Sequence, residues 1–282
     1  MNAMVDMNPL VTIVTPYYNS KDLFDAVQSV ITQDYPHLQY ILIDDGSVYP
    51  KREDVCKFLE GKDVKCKVLF LENEENIGTV KTMNRAYSLA EGKYIFNLAA
   101  DDVFYDSQVI SGWVSHFQNT GAMVSTGYRV LYDGNLKNIL RLRPIPSDVK
   151  LIRSGDTERL FRRLCRKNII LGCVTAYSKV CLDQYGFYDT AYRLIEDYPK
   201  VLSLSREGIS ISFYDRKIVK CRTGGTSSGK SYSQAYRQDS DLIFKKEILT
   251  YAKNPVCATY DYLYWIIRQR ALNILSKLGK QK

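Results

Sequence analysis

The stretch Lys93-Tyr94-Ile95-Phe96-Asn97-Leu98-Ala99-Ala100-Asp101-Asp102 runs from an apolar segment directly into two adjacent carboxylates. The apolar part predicts a buried strand, and carboxylates at the edge of a core need a cation, hydrogen-bond donors or water. The pair therefore has two interpretations: a site for a divalent metal that carries a phosphorylated ligand, or a helix N-cap in which Asp102 opens the next segment. Taken alone, the pair favours the cap.

Three earlier segments repeat this pattern of an apolar strand followed by a polar loop. Strands predicted at Leu10–Thr15, Leu38–Ile43 and Cys66–Leu71 alternate with helical patterns at residues 21–33, 52–60 and 79–90. Such alternation predicts right-handed βαβ units and a mostly parallel sheet. The loops that follow the strands are therefore expected to meet at one edge of the sheet, where such folds bind ligands. These loops are Pro16–Asn19, Asp44–Ser47, Asn76–Gly78 and Asp101–Asp102.

This expected ligand site lacks a glycine-rich phosphate loop. Residues 1–110 contain neither a Gly-x-Gly-x-x-Gly after the first strand nor a Gly-x-x-x-x-Gly-Lys-Ser/Thr. Without such a loop, a metal held by acidic side chains is the alternative means of neutralising phosphates. This consideration favours the metal site over the cap for Asp101 and Asp102.

Length and composition are typical of a globular protein, with 282 residues, 45% hydrophobic and 25% charged. They predict one large α/β domain followed by a C-terminal appendage. The net charge of +8 is concentrated in two segments: residues 141–170 hold nine basic and three acidic side chains, and residues 251–282 hold six basic side chains against Asp261. Each segment fits a polyanion or an anionic membrane surface, or forms a solvated helix face.

The cysteines and the N-terminus predict a cytoplasmic protein. Seven cysteines at irregular spacing, without a Cys-x-x-Cys and with two distant histidines, indicate reduced thiols and neither a disulfide framework nor a zinc site. Residues 1–8 lack the features of a signal peptide, and no stretch is long and apolar enough to be a transmembrane helix. The protein is expected to be peripheral on the cytoplasmic face of the membrane if its basic C-terminus binds lipid.

The second half of the chain has a less regular pattern. Strands are predicted at residues 123–132, 136–142, 169–177, 209–214 and 217–221, with a basic helix at 157–165. Glycines make residues 223–229 a predicted mobile loop, and the pattern from Gln234 onward is helical.

Five short motifs occur in a defined order along the chain. They are Thr12-Ile13-Val14-Thr15-Pro16-Tyr17-Tyr18-Asn19, Ile43-Asp44-Asp45-Gly46-Ser47, Asn76-x-Gly78 with Asn84-x-Ala86, Ala90-x-Gly92-x-Tyr94-Ile95, and Leu98-Ala99-Ala100-Asp101-Asp102. Together they resemble the family 2 glycosyltransferases with the GT-A fold, in the style of bacterial enzymes that build capsule, lipopolysaccharide O-antigen or exopolysaccharide. The resemblance covers about residues 9–110, and Glu196-Asp197 and Gly224-Gly225-Thr226-Ser227 extend it more loosely to about residue 230.

The resemblance implies an α/β protein of the GT-A type, with a Rossmann-like, mostly parallel central sheet, a mixed acceptor-side half and a C-terminal helical tail. The catalytic domain would span residues 1–230, with a nucleotide-sugar half at about 9–110 and an acceptor half at about 111–230. Residues 231–282 would form a helical extension that contacts the membrane or a second subunit, or packs on the catalytic domain.

The resemblance also implies roles for five residues in binding the nucleotide sugar. Pro16 and Tyr18 would cup the nucleobase, with Tyr18 stacking on the ring, and Asp45 would hydrogen-bond the base. Lys81 would meet the nucleotide, and Asp101 would contact the ribose.

For the chemistry, the resemblance assigns Asp102 to Mg²⁺ or Mn²⁺ on the donor diphosphate, although other GT-A enzymes commonly have a spaced Asp-x-Asp there. Asp197 would be the general base for the acceptor hydroxyl, with Glu196 as its rival. A single displacement would then invert the anomeric configuration. Without the resemblance, the same two acids are interpreted as a solvated helix start.

The leading hypothesis is a metal-dependent, inverting glycosyltransferase of the hexosyltransferase type. It would move a sugar from a nucleotide-diphosphate sugar, with UDP favoured, to a hydroxyl of a glycan or of a polyprenyl-diphosphate-linked acceptor. The basic C-terminal helix would contact the membrane, nucleic acid is not expected as a partner, and a homodimer stays open. The alternatives are a nucleotidyltransferase of similar fold, which usually has a glycine-rich basic loop after its first strand, and a non-catalytic nucleotide- or polyanion-binding module.

Overall fold

One mixed sheet with helices on both faces organises the chain in the computed structural model, which describes residues 8–223 and 233–251 and, beyond them, residues 256, 259, 260, 262, 263, 266 and 267. The strands of this described part are β1 Val11–Tyr17, β2 Leu38–Asp44, β3 Lys67–Glu72, β4 Tyr94–Asn97, β5 Val103–Phe104, β6 Val124–Tyr132, β7 Ile139–Arg143, β8 Thr175–Ser178 and β9 Ile211–Arg222. Its helices are α1 Leu23–Ile31, α2 Arg52–Leu59, α3 Thr79–Tyr87, α4 Val109–Thr120, α5 Pro146–Arg153, α6 Thr157–Arg166, α7 Lys179–Tyr185, α8 Asp197–Arg206 and α9 Gln234–Ile243. A 3₁₀ turn at Gly172–Val174 precedes β8, and a π-helical segment at Phe244–Leu249 follows α9.

The first half of the chain builds the parallel part of the sheet, as the alternating pattern predicts. The strand order is β3-β2-β1-β4, and each neighbouring pair is parallel. Because helices cover both faces of these strands, β1 and β2 are buried almost throughout. Their register aligns Tyr17 with Asp44, so the loops after both strands leave the same edge.

The second half extends the sheet with strands that run in both directions. β8 is antiparallel to both β4 and β6, and β6 is parallel to β9. β5 is antiparallel to β9, and β7 is antiparallel to β6. The mixed half that the resemblance implied is therefore confirmed. Because β5 directly follows Asp102 and aligns Val103 with Lys220, the end of β9 lies beside the acidic loop.

Helices on the two faces of the sheet divide the core into two layers. One layer packs α1 and α4 on the sheet through side chains such as Leu23 and Trp113. The other packs α3, α6, α7 and α8 through side chains such as Met83. Successive side chains of β1 enter opposite layers, Ile13 the first and Val14 the second, so a one-residue slip would exchange the two sets.

Three strand predictions in the second half are wrong in extent. Residues 169–177 do not form one strand, because the Gly172–Val174 turn interrupts them and only Thr175–Ser178 pairs with β4 and β6. The backbone N–H of Gly172 donates to the side chain of Asp197, which removes it from sheet pairing. The strands predicted at 209–214 and 217–221 are one strand, β9, which follows β6 through two shifts of register.

The strands predicted at residues 123–132 and 136–142 are present as the antiparallel pair β6 and β7, and the predicted basic helix is α6. Helices α4, α5 and α7 have no counterpart among the predictions, although Pro146 at the first position of α5 is a recognised helix-start signal. The predicted loop beyond Thr223 and nearly all of the basic C-terminal tail lie outside the described residues. None of the helices in the described part of the chain has the length and apolar character needed to span a membrane.

Candidate active site

Four loops that follow parallel strands meet at one edge of the sheet, as the sequence predicts. The backbone N–H of Asn19 donates to Ser47 Oγ (2.8 Å), and Asn19 Oδ1 accepts from the N–H of Val48 (3.0 Å). Ser20 Oγ donates to the carbonyl of Ala100 at 3.3 Å, which joins the first loop to the loop that holds the acid pair. Hydrogen bonds therefore connect loops that the sequence separates by many residues.

Asp45 is buried and connects the second of these loops to the third. Its Oδ1 accepts from Thr82 Oγ1 (2.7 Å), Asn73 Nδ2 (3.0 Å) and the N–H of Ile77 (2.9 Å). Its Oδ2 accepts from the N–H of Gly78 at 3.0 Å. The carboxylate thus holds the turn that opens α3, a role that the sequence did not predict for it.

Arg193 attaches this same turn to the segment that leads into Glu196 and Asp197. Its guanidinium Nη2 donates to the backbone carbonyl of Asn76 (2.7 Å) and to Asn76 Oδ1 (2.9 Å). Gly78 has φ +92°, and a Cβ there would lie 2.5 Å from Arg193 Cγ. A glycine is therefore required at this position both for its backbone conformation and for the close approach of Arg193.

Arg222, the last residue of β9, connects the acid pair to α1. Its backbone N–H donates to Asp102 Oδ1 (3.1 Å), and its guanidinium Nη1 donates to the carbonyl of Asp101 (2.6 Å). The same guanidinium forms an ion pair with Asp25 and approaches Asp22 at 3.9 Å. The positive charge of Arg222 is therefore shared with the acids of α1 instead of neutralising the Asp102 carboxylate.

Asp102 is buried, with few hydrogen-bond donors around it. Beside the N–H of Arg222 it has the thiol of Cys221, and within the described part of the chain its carboxylate forms no ion pair. Burial and the charge of Asp101 together raise the pKa of Asp102 to about 7. Burial also raises the pKa of Asp101 above its ordinary value. The charge of Arg129 lowers the pKa of Asp102 and the charge of Arg222 lowers that of Asp101, but neither offsets the effect of burial, so both carboxylates gain from a further cation that would favour their charged forms.

Glu196 and Asp197 lie half-buried at the start of α8. Asp197 Oδ2 accepts from the N–H of Gly172 (2.8 Å) and from Asn168 Nδ2 (3.4 Å). Burial raises the pKa of Asp197, and burial together with the charge of Asp197 raises the pKa of Glu196 to about 8. A Cβ at Gly172 would approach Asp197 Cβ to 3.0 Å, so the turn and the acid pair are closely packed.

The Gly172–Val174 turn lies between the two acidic sites. Its first residue bonds to Asp197, while Sγ of its second residue, Cys173, lies 3.7 Å from Sγ of Cys221. These two thiols and the carboxylate of Asp102 all lie within 4.8 Å of one another. Asp102 and Asp197, which the sequence predicts from separate motifs, therefore flank a single turn.

Asp239 of α9 holds the segment before Glu196 through its backbone. Its buried carboxylate accepts from the N–H groups of Arg193, Leu194 and Ile195, at 2.6 to 3.0 Å. Three consecutive backbone donors around one carboxylate fix the local backbone direction. The position of Glu196 and Asp197 therefore depends on a helix that begins after residue 230.

The residues predicted to contact the nucleotide lie around the same edge. Pro16 aligns with Ile43 near the end of β1, Tyr18 is 50% exposed just beyond that strand, and Lys81 is exposed on the first turn of α3. An exposed ring at this edge of the sheet suits base stacking. The roles assigned to these residues and to Asp45 and Asp101 stay predictions.

Several residues of the site were missed from the sequence. Arg222, Cys173 and Cys221 carry no motif, because they reach Asp102 only through the pairing of β5 with β9 and the turn before β8. Asp239 gave no signal either, since an Asp in a helical pattern is ordinarily interpreted as a surface residue. Arg222 had one available signal, a basic residue at the end of a predicted strand.

The chain also contains one stretch with the spacing of a P-loop, Gly224-Gly225-Thr226-Ser227-Ser228-Gly229-Lys230-Ser231. It lies in the second half and outside the described residues. The absence of a glycine-rich phosphate loop is therefore a property of the first half of the chain only. It supports a metal at Asp101 and Asp102 to that extent.

Comparison with known proteins decides the family. The profile of Glycosyl transferase family 2 matches residues 12–186, more than half of the chain. The chain belongs to this family. This glycosyltransferase is 29% identical over 266 residues to TuaG of Bacillus subtilis, a glycosyltransferase named for teichuronic acid biosynthesis. The alignment covers 90% of this chain and 98% of TuaG.

Two solved structures share the fold at lower identity. The mannosyltransferase PcManGT of Pyrobaculum calidifontis, in complex with GDP-Man and Mn²⁺, superimposes with a TM-score of 0.64 at 16% identity, over 97% of this chain and 80% of that one. TarS of S. aureus, in complex with UDP, gives a TM-score of 0.59 at 17% identity, over 88% of this chain and 68% of that one. The fold predicted from the five motifs is thus confirmed as that of the GT-A glycosyltransferases.

Replacing Asp239 by alanine should weaken the segment before Glu196. Three backbone N–H groups would lose a charged acceptor, which is expected to lower the free energy of unfolding by at least about 3 kcal/mol. Urea denaturation followed by circular dichroism measures this loss. Asp183→Ala is the matched control, because exposed Asp183 makes only an i,i+4 ion pair with Lys179. Equal stability of the two variants would contradict the role given to Asp239.

Glu196 should make the folded protein less stable as pH rises. Its pKa is 4.5 unperturbed and about 8 in the fold, so between these values the folded state binds more protons than the unfolded state. The contribution of this group to the free energy of unfolding is therefore greatest at the acidic end and decreases toward its folded pKa. Glu196→Gln should flatten that dependence in denaturation curves measured across the interval, and an unchanged slope would contradict the raised pKa.

Proposed function

We propose that this family 2 enzyme is a metal-dependent, inverting glycosyltransferase that uses a nucleotide-diphosphate sugar, with UDP as the favoured nucleotide. The observation that carries the proposal is the placement of Asp102 and Asp197 on either side of the Gly172–Val174 turn. A group that holds the leaving diphosphate and a group that accepts a proton from the attacking hydroxyl must lie on opposite sides of the transferred sugar. That both acids contact one short turn supports the proposal that they serve one substrate.

The carboxylate of Asp102 fits a divalent cation, with Asp101, the proposed contact of the ribose, beside it. The two residues are adjacent, burial raises the pKa of each, and the nearby guanidinium of Arg222 is engaged by Asp22 and Asp25. Carboxylate oxygens are the ligands that Mg²⁺ and Mn²⁺ favour. When bound, the cation would stabilise the negative charge that develops on the departing diphosphate.

The edge formed by the four loops supports binding of the nucleoside. The exposed ring of Tyr18 is available to stack on a base, and Pro16 lies beside it at the strand end. Asp45 reaches the same edge, but its oxygens already accept four internal hydrogen bonds, so its contact with the base would use a remaining lone pair of Oδ2. UDP is favoured because TarS is known in complex with UDP, whereas PcManGT, in complex with GDP-Man, is the reason to compare nucleotides directly.

Asp197 is the proposed general base. The raised pKa of its carboxyl makes it a stronger proton acceptor than an exposed Asp, while the N–H of Gly172 and the side chain of Asn168 hold Oδ2 in place. The acceptor oxygen would form a bond to the sugar C1 as the bond from C1 to the diphosphate oxygen breaks, and the acceptor proton would pass to Asp197. One displacement of this kind inverts the anomeric centre. Glu196, whose pKa is also raised, is the rival base.

The proposed acceptor is a hydroxyl of a glycan or lipid-linked glycan in cell-surface polysaccharide synthesis. The name of TuaG refers to teichuronic acid, and TuaG aligns with this chain over nearly its whole length. The proposal therefore places this enzyme in an assembly process of the same general kind.

A surface on the second half of the chain supports contact with an anionic membrane. We define the β7 patch as Ile139, Leu140, Leu142 and Ile145, which are 57%, 54%, 41% and 38% exposed, together with Arg141, Arg143 and Lys150. Among the described residues β7 pairs only with β6, so this strand is an edge of the sheet that they form. Exposed apolar and exposed basic side chains on one edge strand suit the interface of an anionic bilayer. The basic segment at residues 251–282 would add to that contact.

A donor screen tests the reaction. Purified enzyme with Mn²⁺ or Mg²⁺ is expected to release nucleoside diphosphate from at least one UDP-sugar, and chelation of the metal should abolish release. Asp197→Asn should lower kcat by about 10²- to 10⁴-fold, the usual contribution of a general base. Asp102→Asn should raise the metal concentration needed for activity, and Asp183→Asn, on the exposed face of α7, should change neither.

Proton NMR of the product would report whether the anomeric configuration is inverted. No release from any UDP-, GDP- or TDP-sugar with either metal would overturn the proposed reaction, and full turnover by Asp197→Asn would overturn the role of Asp197 as the base. If Glu196→Gln but not Asp197→Asn loses activity, the base is Glu196.

Vesicle binding tests the β7 patch separately. The enzyme is expected to co-sediment with phosphatidylglycerol vesicles and much less with phosphatidylcholine vesicles. Arg141→Gln should weaken binding about fivefold, since one basic residue near an anionic surface contributes about 1 kcal/mol. Leu140→Ser with Leu142→Ser should weaken it further, whereas Val180→Ser, at a 61% exposed position on α7, is the control. Equal binding to both lipids would contradict the proposed contact.

A further inference from the structure

Two cysteines that no sequence motif connects meet beside Asp102. Cys173 belongs to the Gly172–Val174 turn and Cys221 to the end of β9. Their sulfur atoms are 3.7 Å apart, and both lie within 4.8 Å of a carboxylate oxygen of Asp102. The sequence predicted no zinc site because the chain has no Cys-x-x-Cys. That argument does not cover this arrangement, since its possible ligands come from three separate segments.

The spacing of the sulfur atoms matches that of a tetrahedral zinc site. Two thiolates bound to Zn²⁺ at about 2.3 Å with a tetrahedral angle lie about 3.8 Å apart. The observed separation of Cys173 and Cys221 agrees with this value without movement of either sulfur. The Asp102 oxygen, within 4.8 Å of both, needs an approach of about 1 Å to reach a zinc–carboxylate distance of about 2.1 Å.

The donor atoms also differ from those that the proposed sugar-transfer metal requires. Mg²⁺ and Mn²⁺ favour oxygen ligands, whereas a pair of thiolates with one carboxylate favours Zn²⁺, which also stands above Mn²⁺ in the general order of affinities. Cys173 is half-buried and Cys221 is buried, so a cation held there would be largely shielded from water. Three protein ligands leave the fourth position of the metal to water or another small ligand.

We propose that Cys173, Cys221 and Asp102 form a binding site for Zn²⁺ in the reduced protein. Binding joins both sulfurs and one carboxylate oxygen to the metal and releases the thiol protons to solvent. Zinc at this site takes Asp102 away from Mg²⁺ or Mn²⁺ and restrains the turn whose first residue bonds to Asp197. The site itself is independent of the reaction; its consequence, inhibition of sugar transfer by zinc, rests on the proposed function.

Zinc competition with a chromophoric chelator tests the site directly. The full-length protein, kept reduced with a phosphine that binds zinc weakly, should take up one Zn²⁺ per chain at this site. Cys173→Ala and Cys221→Ala should each weaken uptake by more than about 100-fold, because loss of an outer partner alone costs about 10- to 100-fold. Cys56→Ala, at an exposed position of α2, is the matched control and should bind zinc like the unmodified protein.

Two further measurements separate ligation from damage to the fold. Co²⁺ in place of Zn²⁺ should give the charge-transfer absorption of cobalt–thiolate bonds, which Cys173→Ala loses and Cys56→Ala keeps. Thermal unfolding shows whether Cys173→Ala and Cys221→Ala are folded. If Cys173→Ala does not fold, Cys173→Ser, which changes the shape of the side chain less, takes its place. Asp102→Asn should weaken zinc binding while leaving the cobalt–thiolate absorption detectable at higher metal concentration.

A double variant, Cys173→Ala with Cys221→Ala, lacks both sulfur ligands. Unchanged zinc uptake by this variant in its folded state would overturn the proposal, as would the absence of stoichiometric binding by the unmodified protein. Zinc binding is measured without donor or acceptor, so it stands or fails apart from the reaction. If zinc binds as expected and no donor is turned over with Mg²⁺ or Mn²⁺, the site is supported and the proposed function is not.

Discussion

Buried and half-buried aspartates that accept backbone hydrogen bonds from distant segments hold the candidate active site together. Asp45 receives the N–H groups of the turn before α3, Asp239 receives those of the segment before Glu196, and Asp197 receives that of Gly172. Burying a carboxylate is costly unless donors surround it, so each interaction constrains the loop that supplies them. The edge of the sheet can therefore be irregular in backbone and still be rigid.

The aspartates of the site differ in how many internal hydrogen bonds their carboxylate oxygens accept. Asp45 and Asp239 are surrounded by four and three internal donors, which leaves little capacity for a ligand. Asp102 has one backbone donor and a neighbouring thiol, and burial raises its pKa. A cation or a proton is what such an incompletely satisfied carboxylate binds best. The chemistry is therefore expected where the internal hydrogen bonding is incomplete.

The sequence predicts the parallel half well because its information there is local. Each strand is a short apolar run, each helix has its own period, and parallel strands bring their polar loops to one edge whatever their separation in sequence. The second half follows different rules. The run at residues 169–177 has the composition of a strand, yet the bond from Gly172 to Asp197 makes part of it a turn, and that partner lies in another segment. Arg222 and Asp239 act through such long-range contacts, which leave no periodic signal.

The pairing of β5 with β9 links the acid pair to both of its neighbours in the site. It delivers the N–H and guanidinium of Arg222 to the acidic loop, and it also places the thiol of Cys221 beside Asp102. Because one strand end supplies both, the position of Arg222 cannot shift without moving the sulfur toward or away from the carboxylate. Hard oxygen ligands and soft sulfur ligands are thus held at a short and constant separation. If the proposed Mg²⁺ or Mn²⁺ site and the proposed Zn²⁺ site share Asp102, the cation bound there would depend on the availability of each metal and on the redox state of the thiols, since oxidation removes the sulfur ligands and leaves the oxygen ligands unchanged.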